Sequence, residues 1–167
     1  MAPFGLFGSK KRVSAKRFGQ ILANVLRETI SIKTNRDSIL ASQQYFFDRG
    51  WVFNEPRFVN ELKVMYFSQV QFIMIDGFQL VIDKKAILDN FIQSSHGLIS
   101  NEDYLRVVQT SLNMMASDQP LTTLSRITAQ NYFGDESVGM ESVMFFGASV
   151  KAFGSVLEEL KSDYFIK

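Results

Sequence analysis

At 167 residues, with apolar residues at 46% and charged residues at 21%, the chain is sized for one domain with one substantial core, and its composition excludes wholesale disorder. The absence of cysteine excludes disulfides, thiolate zinc sites, iron–sulfur ligation and a cysteine nucleophile. A formal charge of +1 argues against a global polyanion-binding surface, so nucleic acid is not an expected partner.

Two local biases stand out against that ordinary background. Sixteen Phe, five Tyr and one Trp are more aromatic surface than a core of this size needs. They point to a groove, an oligomer interface or a ligand cavity, with an aromatic-rich core as the plain alternative. The charge is also uneven, since Lys10, Lys11, Arg12, Lys16, Arg17 and Arg27 all precede the first acid, Glu28. Residues 1–13 are expected to be a flexible tail in which Phe4, Leu6 and Phe7 adjoin Lys10, Lys11 and Arg12. Apolar area and positive charge add at an anionic membrane or at an acidic protein groove, so these six residues are the candidates for such a contact.

From Ser14 onward the pattern is helical. Phe18, Ile21, Leu22, Val25 and Leu26 share one face of a first helix capped by Ser14. Asn35 or Asp37 caps a second helix over about 38–49, closed by Gly50. Trp51 and Phe53 then lie in a short connector, where two large aromatics either fold onto the core or face a partner; they are candidate partner-binding residues. Pro56 opens a third helix, with Glu55 just outside it.

The stretch 58–82 is the most apolar run of the chain and must be buried in whatever fold forms. It reads as a helix that either continues to about Ile75 or gives way near Ser68 to a hairpin over Val70–Asp83, because Asp76-Gly77 suits a tight two-residue turn. Gln69, Gln71, Asp76 and Gln79 argue against a membrane span there.

Asp83 caps the next helix, which Gly97 ends. Ser100 with Asp103 resembles a capping box opening a helix whose inward face is Tyr104, Leu105, Val108, Leu112 and Met115. A helix over about 122–133 follows, ended by Gly134. Asp135 would then cap a final helix with Phe146, Val150, Phe153, Leu157, Leu160 and Tyr164 in one stripe. Gly147, Ala148, Ala152 and Gly154 make part of that helix smooth, so Gly147 and Gly154 are candidates for close approach by a second chain.

No catalytic motif emerges. The single histidine, His96, stands seven residues from Asp89 on one helical face, which gives a base and orienter at most; no Gly-x-Ser-x-Gly elbow, dinucleotide fingerprint or Walker sequence is present. No catalytic residue, metal ligand or cofactor is therefore assigned. The expected architecture is mainly α, a single-domain bundle of about six to seven helices over residues 14–167. The expected function is a non-catalytic helical interaction module (adaptor, chaperone or assembly component) that presents an aromatic surface to another protein or to a second copy of itself. The setting would be cytoplasmic or peripheral to a membrane. The alternatives are a binder of an apolar molecule or lipid, with Met65, Met74, Met114, Met115 and Met144 around a cavity, and an enzyme with an unfamiliar site.

Overall fold

A computed structural model describes residues 11–74, 84–134 and 138–166. Among them are seven helices and one pair of three-residue strands, a mainly α bundle as the sequence predicts. The helices are α1 (Ala15–Lys33), α2 (Arg36–Phe47), α3 (Glu55–Phe72), α4 (Lys84–Ser94), α5 (Asn101–Met115), α6 (Pro120–Phe133) and α7 (Met140–Asp163).

Short polar side chains start the helices where the sequence places them. Ser14 Oγ accepts from the Arg17 amide at 3.2 Å, Asn35 Oδ1 from Ser38 at 2.8 Å and Asn54 Oδ1 from Arg57 at 3.0 Å. Ser100 Oγ accepts from the Asp103 amide and donates to the Asp103 carboxylate, a compact form of the expected box. Glu55 lies inside α3, one residue earlier than expected, with Pro56 in the first turn. The final helix begins at Met140 with Gly139 as its cap; Asp135, expected in that role, lies outside the described residues.

The long apolar stretch is the axis of the bundle. Helix α3 is buried almost all round from Phe58 to Gln71 and packs against α1, α5, α6 and α7. The hairpin expected from Val70 is not formed in its first half: Val70–Phe72 continue α3, and Ile73 and Met74 form a wider helical turn. Burial of Val70 in the helix packing outweighs its strand preference, and among the described residues no strand lies beside it. The polar residues of the stretch are accommodated within the helix packing. Ser68 Oγ donates to the Val64 carbonyl, and Gln69 Nε2 donates to the Val150 carbonyl of α7, each at 2.8 Å. Asp76-Gly77 and the second expected strand lie outside the described residues.

Helices α1 and α4 pack most closely. Gly19 allows it, because a Cβ at that position would sit 2.4 Å from the Ile87 carbonyl oxygen and 2.9 Å from the Phe91 nitrogen. Arg27 Nη2 reaches across to cap α4 at the Ser94 carbonyl, 2.8 Å away. The first and last described segments also meet. Strand β1 (Lys11–Val13) pairs in parallel with β2 (Tyr164–Ile166), in the register Lys11 with Tyr164, Arg12 with Phe165 and Val13 with Ile166. Of the tail expected over 1–13, residues 11–13 are thus held against the C-terminus.

Helix α7 is the one described helix long and apolar enough, by length and composition, to cross a membrane. Its stripe Phe146, Val150, Phe153 and Leu157 is buried within the bundle, as the spacing predicts. The face of α5 is the clearest departure. Val107, Thr110, Ser111 and Met114 are its buried residues, while Leu105 is 71% exposed and Leu112 and Met115 face solvent. Polar satisfaction sets this rotation. Glu61 of α3 is 4% exposed, and Arg106 answers it with Nη2 at 2.6 Å from both carboxylate oxygens. Arg106 Nη1 also holds Asp103 at 2.9 Å, and Ser111 Oγ lies 3.3 Å from the Ser68 carbonyl. Turning α5 to bury Leu105 would strand the Glu61 charge.

Candidate functional site

Helix α2 buries only Ile39 and Phe46 and leaves the rest of its surface in two clefts, one on each side. Phe46 is the anchor. Its fully buried ring touches those of Trp51, Phe53, Phe58, Tyr132, Phe133 and Phe145, mostly edge to face, with centroids 5.2 to 6.0 Å apart.

The connector is folded by its sequence. Gly50 takes a left-handed conformation (φ 68°), and the amides of Gly50 and Trp51 donate to the carbonyls of Phe47 and Phe46, the paired bonds of a Schellman ending. This reversal brings Trp51 back over Phe46. Further along, the Tyr132 hydroxyl accepts from the Asn54 amide at 2.7 Å and donates to the Val52 carbonyl at 3.2 Å. Burial raises the Tyr132 pKa, partly offset by the Asn54 amide and the Arg57 charge, so the phenol stays protonated and can make both bonds. Arg57 bonds the Asn131 carbonyl and ties α3 to the same end of α6.

Trp51 and Phe53 are thereby held half-buried, each with one edge in the core and one in a cleft of about 560 Å³. Leu40, Gln43, Gln44 and Phe47, one face of α2, form the opposite wall. Phe47 is 77% exposed and Leu40 51%. The sequence groups Leu40, Gln44 and Phe47 in one stripe, and the structure turns that stripe outward. The stripe Ile39 and Phe46 supplies the packing instead.

The other candidate residues are distributed elsewhere. A Cβ at Gly147 would meet Ser125 Oγ of α6 at 3.5 Å, an ordinary contact, whereas one at Gly154 would meet Gln69 Nε2 of α3 at a tighter 3.1 Å. Lys11 and Arg12 are exposed on β1, with Lys11 Nζ 5.8 Å from the centre of the Tyr164 ring. Phe4, Leu6, Phe7 and Lys10 lie outside the described residues. Asp89 pairs with Lys85 at 2.6 Å, and His96 sits exposed past the end of α4, so the structure does not bring this acid and base together. Met65, Met74 and Met114 are buried core residues, whereas Met115 and Met144 are exposed.

Among the described residues no group of three His, Asp or Glu side chains could hold a metal ion. Among the described residues, Glu61 with Arg106 and Asp103 forms a buried ionic cluster that joins α3 to α5. Burial raises the Glu61 pKa despite Arg106. Burial acts in the same direction on Asp103, but bonds from Ser100, Asn60 and Arg106 outweigh it and lower that carboxyl. Sequence reading missed this cluster because Glu61 and Arg106 lie 45 residues apart and carry no local signal. Comparison of the chain with protein-family models, with curated proteins and with solved structures returned no match.

Proposed function

We propose that this chain is a non-catalytic helical interaction module, and that it binds an apolar segment of another polypeptide, a second copy of itself included, in the cleft between α2 and the Trp51–Phe53 connector. The observation that carries the reading is the pairing of exposed Phe47 and Leu40 with a rigidly held Trp51 across one cleft. Covering a phenylalanine of this exposure returns on the order of 2 kcal/mol of hydrophobic free energy. A Trp fixed beforehand by core packing spends little conformational entropy on contact. Gln43 and Gln44, on the cleft wall, supply amides that can bond an incoming backbone.

Variants of the cleft test this directly. Phe47→Glu and Leu40→Glu should leave the thermal midpoint within a few degrees of the parent, since neither side chain is in the core. Both should abolish a specific complex or concentration-dependent association, while Phe47→Leu retains it. Retention of every bound protein and of the association state by Phe47→Glu would reject the proposal.

A further inference from the structure

The second cleft, on the other side of α2, has a different chemistry. Helix α2 runs beside α7 in a ladder of facing residues: Arg49 pairs with Glu141, and one turn on, the Tyr45 and Phe145 rings meet with centroids 4.8 Å apart. Arg49 also lies over the Tyr45 ring at 3.4 Å, so this end is closed and its charge is neutralised. A further turn along, the facing positions carry Ala41 and Ala148, whose side chains are too short to fill the space. A cleft of about 610 Å³ results, within the range of ligand pockets. Its floor is the apolar side of α3, at Phe58 and Leu62.

The open end is polar. Lys33, in the last turn of α1, lines it together with Ser38, Ser42 and Ser149. Lys33 is half-buried, and no carboxylate among the described residues lies within ion-pair distance of it. Ser38 and Ser42 donate their hydroxyl protons to backbone carbonyls and keep lone pairs toward the cleft rather than free donors, which leaves Lys33 as the group that selects charge. Behind the wall, Tyr66 is fully buried; burial pushes its hydroxyl up to about 12, and Ser149, a residue of the cleft, acts against that shift.

We infer that this cleft binds a single-chain anionic amphiphile, with its carboxylate or phosphate at Lys33 and its alkyl chain lying between Ala41 and Ala148 over Phe58 and Leu62. An unpaired ammonium at the open end selects an anionic head, a gap walled by alanines admits an unbranched chain, and the Arg49–Glu141 pair limits its depth. The inference is independent of the aromatic cleft, which lies on the opposite face of α2.

Calorimetric titration of the full chain with dodecanoate, dodecyl phosphate and dodecanol, each below its aggregation concentration, tests it. Saturable one-to-one binding is expected for the anions, and relative strength of dodecanoate and dodecyl phosphate separates a fatty-acid source from a phospholipid one. Dodecanol should bind at least roughly tenfold more weakly, Lys33→Gln should lose roughly tenfold for the anions only, and Lys33→Arg should restore most of it. Ala148→Leu, at an exposed position, and Ala41→Phe should each block the chain site with an unchanged helical spectrum. Phe47→Glu should bind dodecanoate like the parent. Absence of saturable binding by both anions, equal affinity for dodecanol, or unchanged affinity in Lys33→Gln or in both filling variants overturns the inference.

Discussion

Single residues set two junctions of the bundle, α1 with α4 and α3 with α5. Gly19 has ordinary helical geometry, and its role is close approach: any Cβ there collides with the backbone of α4, which cannot yield as a flexible side chain would. Gly19→Ala should therefore destabilise the fold by about 2 kcal/mol or more, although alanine favours an isolated helix; urea unfolding measures the balance. At Glu61 the issue is charge. Its raised pKa means that burial costs more than Arg106 returns, so Glu61→Gln, which keeps the shape and an acceptor, should cost about 1 kcal/mol or less. Arg106→Met leaves the carboxylate unpaired and should cost roughly 3 kcal/mol at neutral pH. The pH dependence follows from the signs of the shifts. A carboxyl raised in the fold contributes stability at low pH that is lost as pH climbs through its folded value, and Arg106→Met raises Glu61 further. The loss in Arg106→Met should therefore shrink between pH 7 and pH 5. Asp103, lowered in the fold, works the other way: its contribution is present above the ordinary carboxylate range and disappears as pH falls through its folded value. A destabilisation that is constant with pH would contradict this assignment.

At the scale of elements, the rotation of α5 carries the sharpest prediction. Leu105→Gln and Leu112→Gln should change stability by no more than about 0.5 kcal/mol, whereas Met114→Ala should cost about 2–5 kcal/mol. Chemical unfolding of the three variants decides which face is inside. Periodicity alone selects the wrong face here because Leu105, Leu112 and Met115 are the more hydrophobic set, while Arg106 and Ser111 bond to α3 from the other side. The same limit explains α2, where the stripe of Leu40 and Phe47 looks as suitable for a core as Ile39 and Phe46. Capping was legible because it is local: Ser14, Asn35 and Ser100 need only their own next turn to act. The α7 stripe was legible because one face carries nearly all of its large side chains. Trp51 and Phe53 were found as an aromatic pair in a connector; that Leu40 and Phe47 complete the surface depends on the Gly50 reversal and on Tyr132, 78 residues further along than Asn54. The β1–β2 pair and the Glu61–Arg106 bridge join distant residues and have no signature in either segment alone.

For the whole molecule, α3 is the buried axis, α7 and α5 pack along it, and α2 is the least embedded helix. Held by the Phe46 anchor, α2 presents one side to each of two clefts without taking Leu40 or Phe47 out of solvent. Phe47 stays 77% exposed on that helix, and the proposed interaction surface is the one that would cover it. The most direct measurement is site-specific photocrosslinking of the full chain in cells, with p-benzoylphenylalanine placed at Phe47 and, as a control, at exposed Glu28 on the outer side of α1. The account predicts a discrete protein adduct, either a second copy or one other polypeptide, from position 47 alone, and its loss when Leu40→Glu is added. No adduct at position 47, or the same adducts from both positions, would contradict it.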